Sequence, residues 1–356
     1  MELISYKVLT EKKGRGRIIL QRKAKGDNMN IDEIAKMAGV SRTTVSRYLN
    51  GGYVGGEKKE RIGEVIRKTG YRPLAQAQTL RTKKTGQIGV ILPKINSDSI
   101  SEMVEGISSV LSSEGYFLLL ANTENNESAE LNYFDIFSRN KVDGIILIGT
   151  VITPKHREVF AGLSVPFVVA AQQVNGFSCV YYDDYGAAYA LTNLLLEKGK
   201  VPGYIGVRED DKAAGYDRKS GFLAALAEHG IHFDESYGET AMFSLQSGYE
   251  QAAELFSRHA DIDSLFCATD HIAAGALLCL KGMGRRVPED VRVVGVGDGK
   301  ISRVTSPTLT SAHLYYNECG RKAARILLEQ IGGDSVVQEV RLGFQIVERG
   351  STSMEG

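Results

Sequence analysis

Read for the spacing of its apolar positions, the chain changes character once, near residue 87. Before that point, short segments carry apolar residues at helical intervals. Ile31, Ile34 and Ala35 share one face, with Asn30 as an N-cap and Asp32 and Glu33 in the first turn. A second segment opens at Ser41, again an N-cap type, and turns Val45 and Leu49 inward at i and i+4. Between them Ala38-Gly39-Val40 supplies a tight turn, where Gly39 can take a positive φ that a Cβ would resist. After a flexible Gly51 to Gly56 loop, Glu57 to Thr69 presents Ile62, Val65 and Ile66 on a third inner face. The pattern predicts a three-helix domain with a helix-turn-helix over Asn30 to Asn50. Gly70-Tyr71-Arg72-Pro73 stops the third helix, and Pro73 to Arg81 reads as a polar linker helix too short to be stable alone.

From Gln87 onward buried strands alternate with amphipathic helices. Ile88 to Leu92, Phe117 to Ala121, Gly144 to Ile148, Pro166 to Ala170 and Cys179 to Tyr182 read as strands. Tyr204 to Val207, Ser264 to Ala268 and Val291 to Val296 continue the series. Strand then helix, repeated, predicts an α/β fold of parallel sheets with helices on both faces. About ten strands are too many for one comfortable sheet, so two similar lobes are expected.

Charge changes the picture. The net charge of zero hides a split: residues 1–84 hold 20 Lys and Arg against 8 Asp and Glu, and the remainder 23 against 35. A basic head on an acidic body predicts that the head meets a polyanion, with an affinity that falls as salt rises. The basic residues 1–28 have no pattern of a buried element. They are either an arm that touches phosphates or not naturally made; Lys25-Gly26-Asp27 can be encoded by AAAGGAGAT, a purine-rich ribosome-binding sequence just before Met29. We favour Met29 as the native start. The four cysteines, Cys179, Cys267, Cys279 and Cys319, lack C-x-x-C spacing and read as reduced core thiols. With no run near the ~18 apolar residues of a membrane span and no signal-peptide pattern, a cytoplasmic, nucleoid-associated protein is expected.

The face left over on the second helix is Arg42, Thr43, Ser46 and Arg47. Such a face suits a major groove, where Arg can bond guanine and Ser or Thr serve bases or phosphates. The run A-x-x-A-G-V-S-x-x-T-V-S-R-x-L-N, Ala35 to Asn50, resembles the N-terminal headpiece of the lactose-repressor and galactose-repressor (LacI/GalR) family. The resemblance implies a headpiece over 29–72, a hinge over 73–86 and an effector-binding and dimerisation domain over 87–350. The last would be two Rossmann-like lobes of type I periplasmic-binding-protein fold: lobe one about 87–184 plus 312–331, lobe two about 185–311 plus 332–350. Crossovers are expected near Asp183 to Gly186, near Thr310 to Leu314 and after Ile331. Arg42, Thr43 and Arg47 would read bases, Ser41, Thr44 and Ser46 would hold phosphates, and Asn50 ends the same helix. Leu80 matches the family's minor-groove wedge, an apolar side chain that unstacks a base step.

In parallel sheets ligands bind beyond the carboxyl ends of the strands. Those ends include Pro93 to Ser99, Ala171 to Gln172, Asp183 to Asp184, Thr269 to Asp270 and Gly297 to Asp298, rich in short polar groups and carboxylates. With one Arg they fit a polyhydroxylated ligand. Taken singly, each reads more simply as a helix cap or satisfied loop group. The resemblance singles out Arg218 in D-R-K-S-G-F, Thr269 and Asp270 in F-C-A-T-D, Asp298 in V-V-G-V-G-D, and Phe243 as an aromatic against a sugar ring; Ser99 stands in the first strand's loop. Departures from the family are Ser97-Asp98-Ser99-Ile100 for N-P-F-F, Gly199-Lys200 for Gly-His, and Gly297 for the first Asp of a D-D pair.

Catalysis is not expected. Gly295-Val296-Gly297-Asp298-Gly299 departs from G-x-G-x-x-G at Lys300, and neither H-E-x-x-H nor G-x-S-x-G occurs. An exported solute-binding module would share the fold but have no use for a helix-turn-helix. The sequence therefore predicts a homodimeric transcriptional regulator, most simply a repressor, on a near-palindromic double-stranded operator. A small sugar effector would control it, with no cofactor, metal or membrane, and with a phosphoprotein corepressor left open. A neutral saccharide is favoured, since few cations line the expected cleft.

Overall fold

The computed structural model describes residues 29–71 and 84–353. The chain divides into two compact units, the break falling between Lys83 and Lys84.

The first unit is built on α1 (Ile31–Ala38), α2 (Arg42–Leu49) and α3 (Gly56–Thr69). Asn30 opens α1 with a capping box: its Oδ1 accepts from the amides of Asp32 and Glu33, and Glu33 Oε2 accepts the Asn30 amide at 2.8 Å. Gly39 ends it at φ 63°, the left-handed conformation the turn needs. Ile34, Ala35, Ala38, Val45, Ile62 and Tyr71 form the buried core, with Leu49, Val65 and Ile66 half-buried around it. Few buried side chains hold this unit, so each is worth a large share of its stability. Leu80 lies outside the described residues, as do residues 1–28 and the predicted linker helix.

The second unit holds two six-stranded sheets, in the orders β11-β5-β4-β3-β1-β2 and β12-β10-β9-β8-β6-β7. The first comprises β1 (Gln87–Leu92), β2 (Phe117–Asn122), β3 (Gly144–Ile148), β4 (Phe167–Ala170), β5 (Cys179–Tyr182) and β11 (Glu339–Leu342). The second comprises β6 (Pro202–Gly206), β7 (Gly238–Thr240), β8 (Ser264–Cys267), β9 (Arg292–Gly297), β10 (Thr310–Leu314) and β12 (Phe344–Val347). All pairings are parallel except β12 on β10. Central strands such as β3 and β8 are buried at every position, which is why they read as unbroken apolar runs rather than alternations.

The chain crosses between sheets after β5, after β10 and between β11 and β12. The last crossing differs from expectation: it falls at Gly343, not directly after Ile331, because β11 pairs with β5. Residues 339–342 therefore belong to lobe one. Likewise Thr310 to His313 of β10 pair with β9 and Leu314 with Phe344 of β12, so residues 312–314 stay in lobe two. Besides the eight predicted strands the structure has β7, β10, β11 and β12. Three of these are edge strands of three or four residues with polar positions, too short for a periodic signal.

Helix α4 (Asp98–Ser113) packs Ile100, Met103, Ile107 and Leu111 into lobe one beside α12 (Tyr316–Gly332). Their close approach depends on two glycines. A Cβ on Gly106 would lie 2.1 Å from the Asn317 carbonyl oxygen, and one on Gly320 2.0 Å from that of Met103. Since α12 begins just after the second crossing, this contact anchors the point where the two lobes join.

Candidate DNA interface and effector cleft

On α2 the polar face is exposed and its core face carries Val45, as the spacing demands. Ser41 caps the helix, its Oγ accepting from the Thr44 amide at 3.3 Å and lying 2.8 Å from both the Thr43 and Thr44 hydroxyls. Thr43, Ser46, Arg47 and Asn50, together with Gly52, line one shallow concavity. Asn50 folds back, donating from Nδ2 to the Ser46 carbonyl. The structure thus brings four of the predicted DNA residues to one surface and places Ser41 and Thr44 at its helix-start edge. Arg42 sits slightly apart, 3.6 Å from Asp32 of α1 in a solvent-exposed pair that contributes little by itself. Gly52 was not singled out from sequence: its amide donates to the Arg47 carbonyl at 2.9 Å, and a Cβ there would meet Arg47 Cγ at 2.7 Å. The Gly51-Gly52 pair was the signal available.

In the second unit the carboxyl ends of both sheets bear facing loops. Gln172, after β4, donates from Nε2 to Asp211 Oδ1, after β6, at 2.8 Å, and both side chains are buried. Lys94, after β1, reaches the Phe243 carbonyl oxygen at 3.5 Å, its Nζ 5.7 Å from the centre of the Phe243 ring. These contacts bridge the lobes and mark a cleft. Desolvation there lowers the Lys94 pKa.

Arg218 opens α8 (Arg218–Glu228), directly after a π-helical turn, Lys212–Asp217, a distortion frequent at functional sites. The guanidinium is buried. Its Nε and Nη2 donate to Asp184 Oδ1 at 2.8 and 2.7 Å, and Nη1 donates to the Ala268 carbonyl. Burial raises the Asp184 pKa against the opposing pull of Arg218. Asp211 is raised in the same way, against hydrogen bonds from the Ala214 amide and Gln172.

Asp270 opens α10 (Asp270–Gly282) and lies fully inside, accepting from the Ser311 hydroxyl and, at 2.7 Å, from the Gly299 amide. Burial outweighs both donors and pushes its pKa up to about 6. Thr269 is the N-cap of the same helix, accepting from the Ile272 amide at 3.3 Å. Asp298 is held within lobe two: Arg349 and Arg303 donate to it, Ser302 donates at 3.2 Å, and His313 Nδ1 lies at 3.2 Å. Burial opposes its charge, yet the two arginines outweigh burial and lower its pKa. Ser99 lies in the first turn of α4, 3.0 Å from Ser97 Oγ, and Phe243 is partly exposed.

The structure thus gathers Arg218 and Asp270 into one polar cluster and leaves Phe243 at the cleft mouth. It commits the side chains of Thr269 and Asp298 to caps and ion pairs. Asp184 and Gln172 lay in the predicted strand-end stretches without being picked out, and Lys94 likewise. Asp211 was missed. Its only signal was the Asp210-Asp211 pair seven residues before Arg218.

A headpiece with an exposed polar recognition helix, on the same chain as a two-lobed unit whose sheets face each other at their carboxyl ends, defines a class: DNA-binding proteins with a ligand-sensing body. Residues 30–73 match the family model described as bacterial regulatory proteins, lacI family, and residues 192–352 the periplasmic binding protein-like domain. The sucrose operon repressor of Staphylococcus xylosus is 32% identical over 87% of this chain and 96% of its own. Among solved structures, the transcriptional regulator CelR-cellobiose complex superposes with a TM-score of 0.70 at 27% identity, covering 91% of this chain and 100% of that one. The lac repressor dimer bound to operator and the anti-inducer ONPF gives a TM-score of 0.83 at 21% identity, covering 91% and 99%, a likeness of fold. This chain belongs to the lacI family of bacterial regulatory proteins, and it is a DNA-binding transcriptional regulator. No helix among the described residues is long and apolar enough to cross a membrane.

Proposed function

We propose that this protein is a homodimeric repressor whose hold on a near-palindromic operator is governed by an uncharged saccharide in the interlobe cleft. The observation that carries the reading is the concavity lined by Thr43, Ser46, Arg47 and Asn50 on an exposed, capped helix. An exposed cationic helix face of this width fits a major groove. Arg42, Thr43 and Arg47 read base edges; Ser41, Thr44 and Ser46 hold phosphates. Two-fold operators require two copies, and β2 supplies a reason to pair: it is an edge strand that exposes Phe117 and Leu120. In the cleft, Arg218 and Asp211 offer donors and acceptors to sugar hydroxyls, and Phe243 offers an aromatic face. The names of two relatives, a sucrose operon repressor and a regulator in complex with cellobiose, support a saccharide. A ligand that prefers one lobe arrangement shifts operator affinity by no more than that preference.

The test is fluorescence anisotropy of the full chain with fragments of its own promoter region at low ionic strength, with and without neutral mono- and disaccharides. Arg47→Ala is expected to weaken specific binding by about 10- to 100-fold, the ~1–3 kcal/mol of a good base contact. Unchanged binding by Arg47→Ala, or no saccharide that alters operator affinity, would refute the reading in its DNA or its ligand half respectively.

A further inference from the structure

The Arg218 guanidinium is the one buried cation in the cleft's polar cluster among the described residues, and it does not face the cleft as a free charge. Asp184 takes two of its N–H groups and the Ala268 carbonyl a third, leaving two donors for a ligand on a group whose charge is already matched. Two further carboxylates, Asp211 and Asp270, are each at least nine-tenths buried and within electrostatic reach of Arg218. A second feature points to a ligand. The Tyr204 hydroxyl, in the same field of Arg218, is buried and has no hydrogen-bond partner. A buried phenol without a partner is costly unless something supplies one.

We propose that Asp184 is the specificity-determining residue that closes this cleft to anionic ligands, by neutralising the arginine that would otherwise bind them. Asp184 acts through Arg218 and is a positioning residue: its Oδ1 holds Nε and Nη2, and so decides which guanidinium edge and how much charge the ligand meets. A phosphate or carboxylate entering here would face three buried carboxylates against one arginine, in a medium where like charges repel strongly. A hydroxyl faces acceptors that want a donor and an arginine fork that can still give two. The inference rests on the saccharide reading of the cleft, and it predicts more than that reading does: removing one carboxylate should turn the site into an anion binder.

The experiment is calorimetric titration of the full chain with matched probes: glucose and glucose 6-phosphate, cellobiose and cellobiose 6-phosphate, and inorganic phosphate alone. In the wild type each phosphorylated sugar is expected to bind at least tenfold more weakly than its neutral counterpart. Asp184→Asn keeps the shape and should move that ratio at least tenfold toward the anion and create measurable binding of inorganic phosphate. Asp184→Glu should restore the wild-type ratio. Asp183→Asn, which removes a neighbouring charge without releasing Arg218, should shift it less than threefold. A wild type that binds the phosphate ester as tightly as the neutral sugar overturns the proposal, and that ratio needs no variant to fold. So does an Asp184→Asn protein that folds but gains no anion affinity, or an equal gain in Asp183→Asn. If no neutral sugar binds the wild type, the saccharide reading fails, while phosphate binding confined to Asp184→Asn still upholds the role of Asp184.

Discussion

The polar side chains of the headpiece and those of the cleft are arranged in opposite ways. On α2, Arg42, Thr43 and Arg47 stand in solvent, over a core of a few buried side chains. In the cleft, Asp184, Asp211, Arg218 and Asp270 are buried, each hydrogen-bonded or ion-paired to a residue distant in sequence. An exposed cation is held at most by a weak solvent-exposed pair, as Arg42 is by Asp32, and can follow a phosphate backbone, at the cost of a strong salt dependence. A buried carboxylate cannot adapt. It is fixed before the ligand arrives, so it selects by geometry and charge.

The contrast can be broken most severely at the headpiece core. Ile34→Ala removes a fully buried side chain and should cost about 2–5 kcal/mol, enough to unfold a unit this small. Operator binding should vanish in the anisotropy assay while calorimetric ligand binding to the second unit persists. Loss of both would show that the regions do not stand independently.

A smaller effect belongs to Asp270. Its folded-state pKa of about 6 lies above its ordinary 3.8, so the folded protein binds the proton more tightly than the unfolded chain. The sign follows: there is no penalty below about pH 4, and stability falls as pH rises through 4 to 6. The penalty above pH 6 is on the order of 3 kcal/mol at most. Urea titrations of the second unit's transition at pH 5 and pH 8 should show greater stability at pH 5 from this group, and Asp270→Asn should flatten the difference. An unflattened difference would assign the dependence elsewhere.

The smallest effect is expected at the bridge between lobes. Gln172→Ala removes one hydrogen bond to Asp211, about 0.5–1.5 kcal/mol. It should leave headpiece binding to bare operator nearly intact and reduce the change in operator affinity that ligand produces. An unchanged ligand response would show that the bridge does not distinguish the lobe arrangements.

Much of this was legible in the chain. Asn30, Glu33, Gly39 and Ser41 declare their helix ends through side-chain and backbone groups only two to four residues away, and the capping box forms as its spacing requires. The two lobes follow from apolar runs whose strand character needs no knowledge of partners. The third crossing was not legible, because β11 is short and polar and takes its place by pairing with β5, some 160 residues earlier. Among the predicted effector residues, Asp298 and Asp270 look alike as strand-end carboxylates, and the structure separates them. Arg349, near the far end of the chain, holds Asp298, while Asp270 is left with neutral donors and a raised pKa.

The sequence by itself determined the helix-turn-helix, the α/β alternation and the set of polar groups carried to the strand ends. These depend on local periods and caps, which act within a few residues. Only the tertiary structure decided which of those groups remain open to a ligand. That choice turns on partners such as Asp184 for Arg218 and Arg349 for Asp298, brought together across tens of residues by sheet pairing. A side chain's availability is set by the other donors and acceptors within about 3 Å of it, and no spacing along the chain encodes that distance.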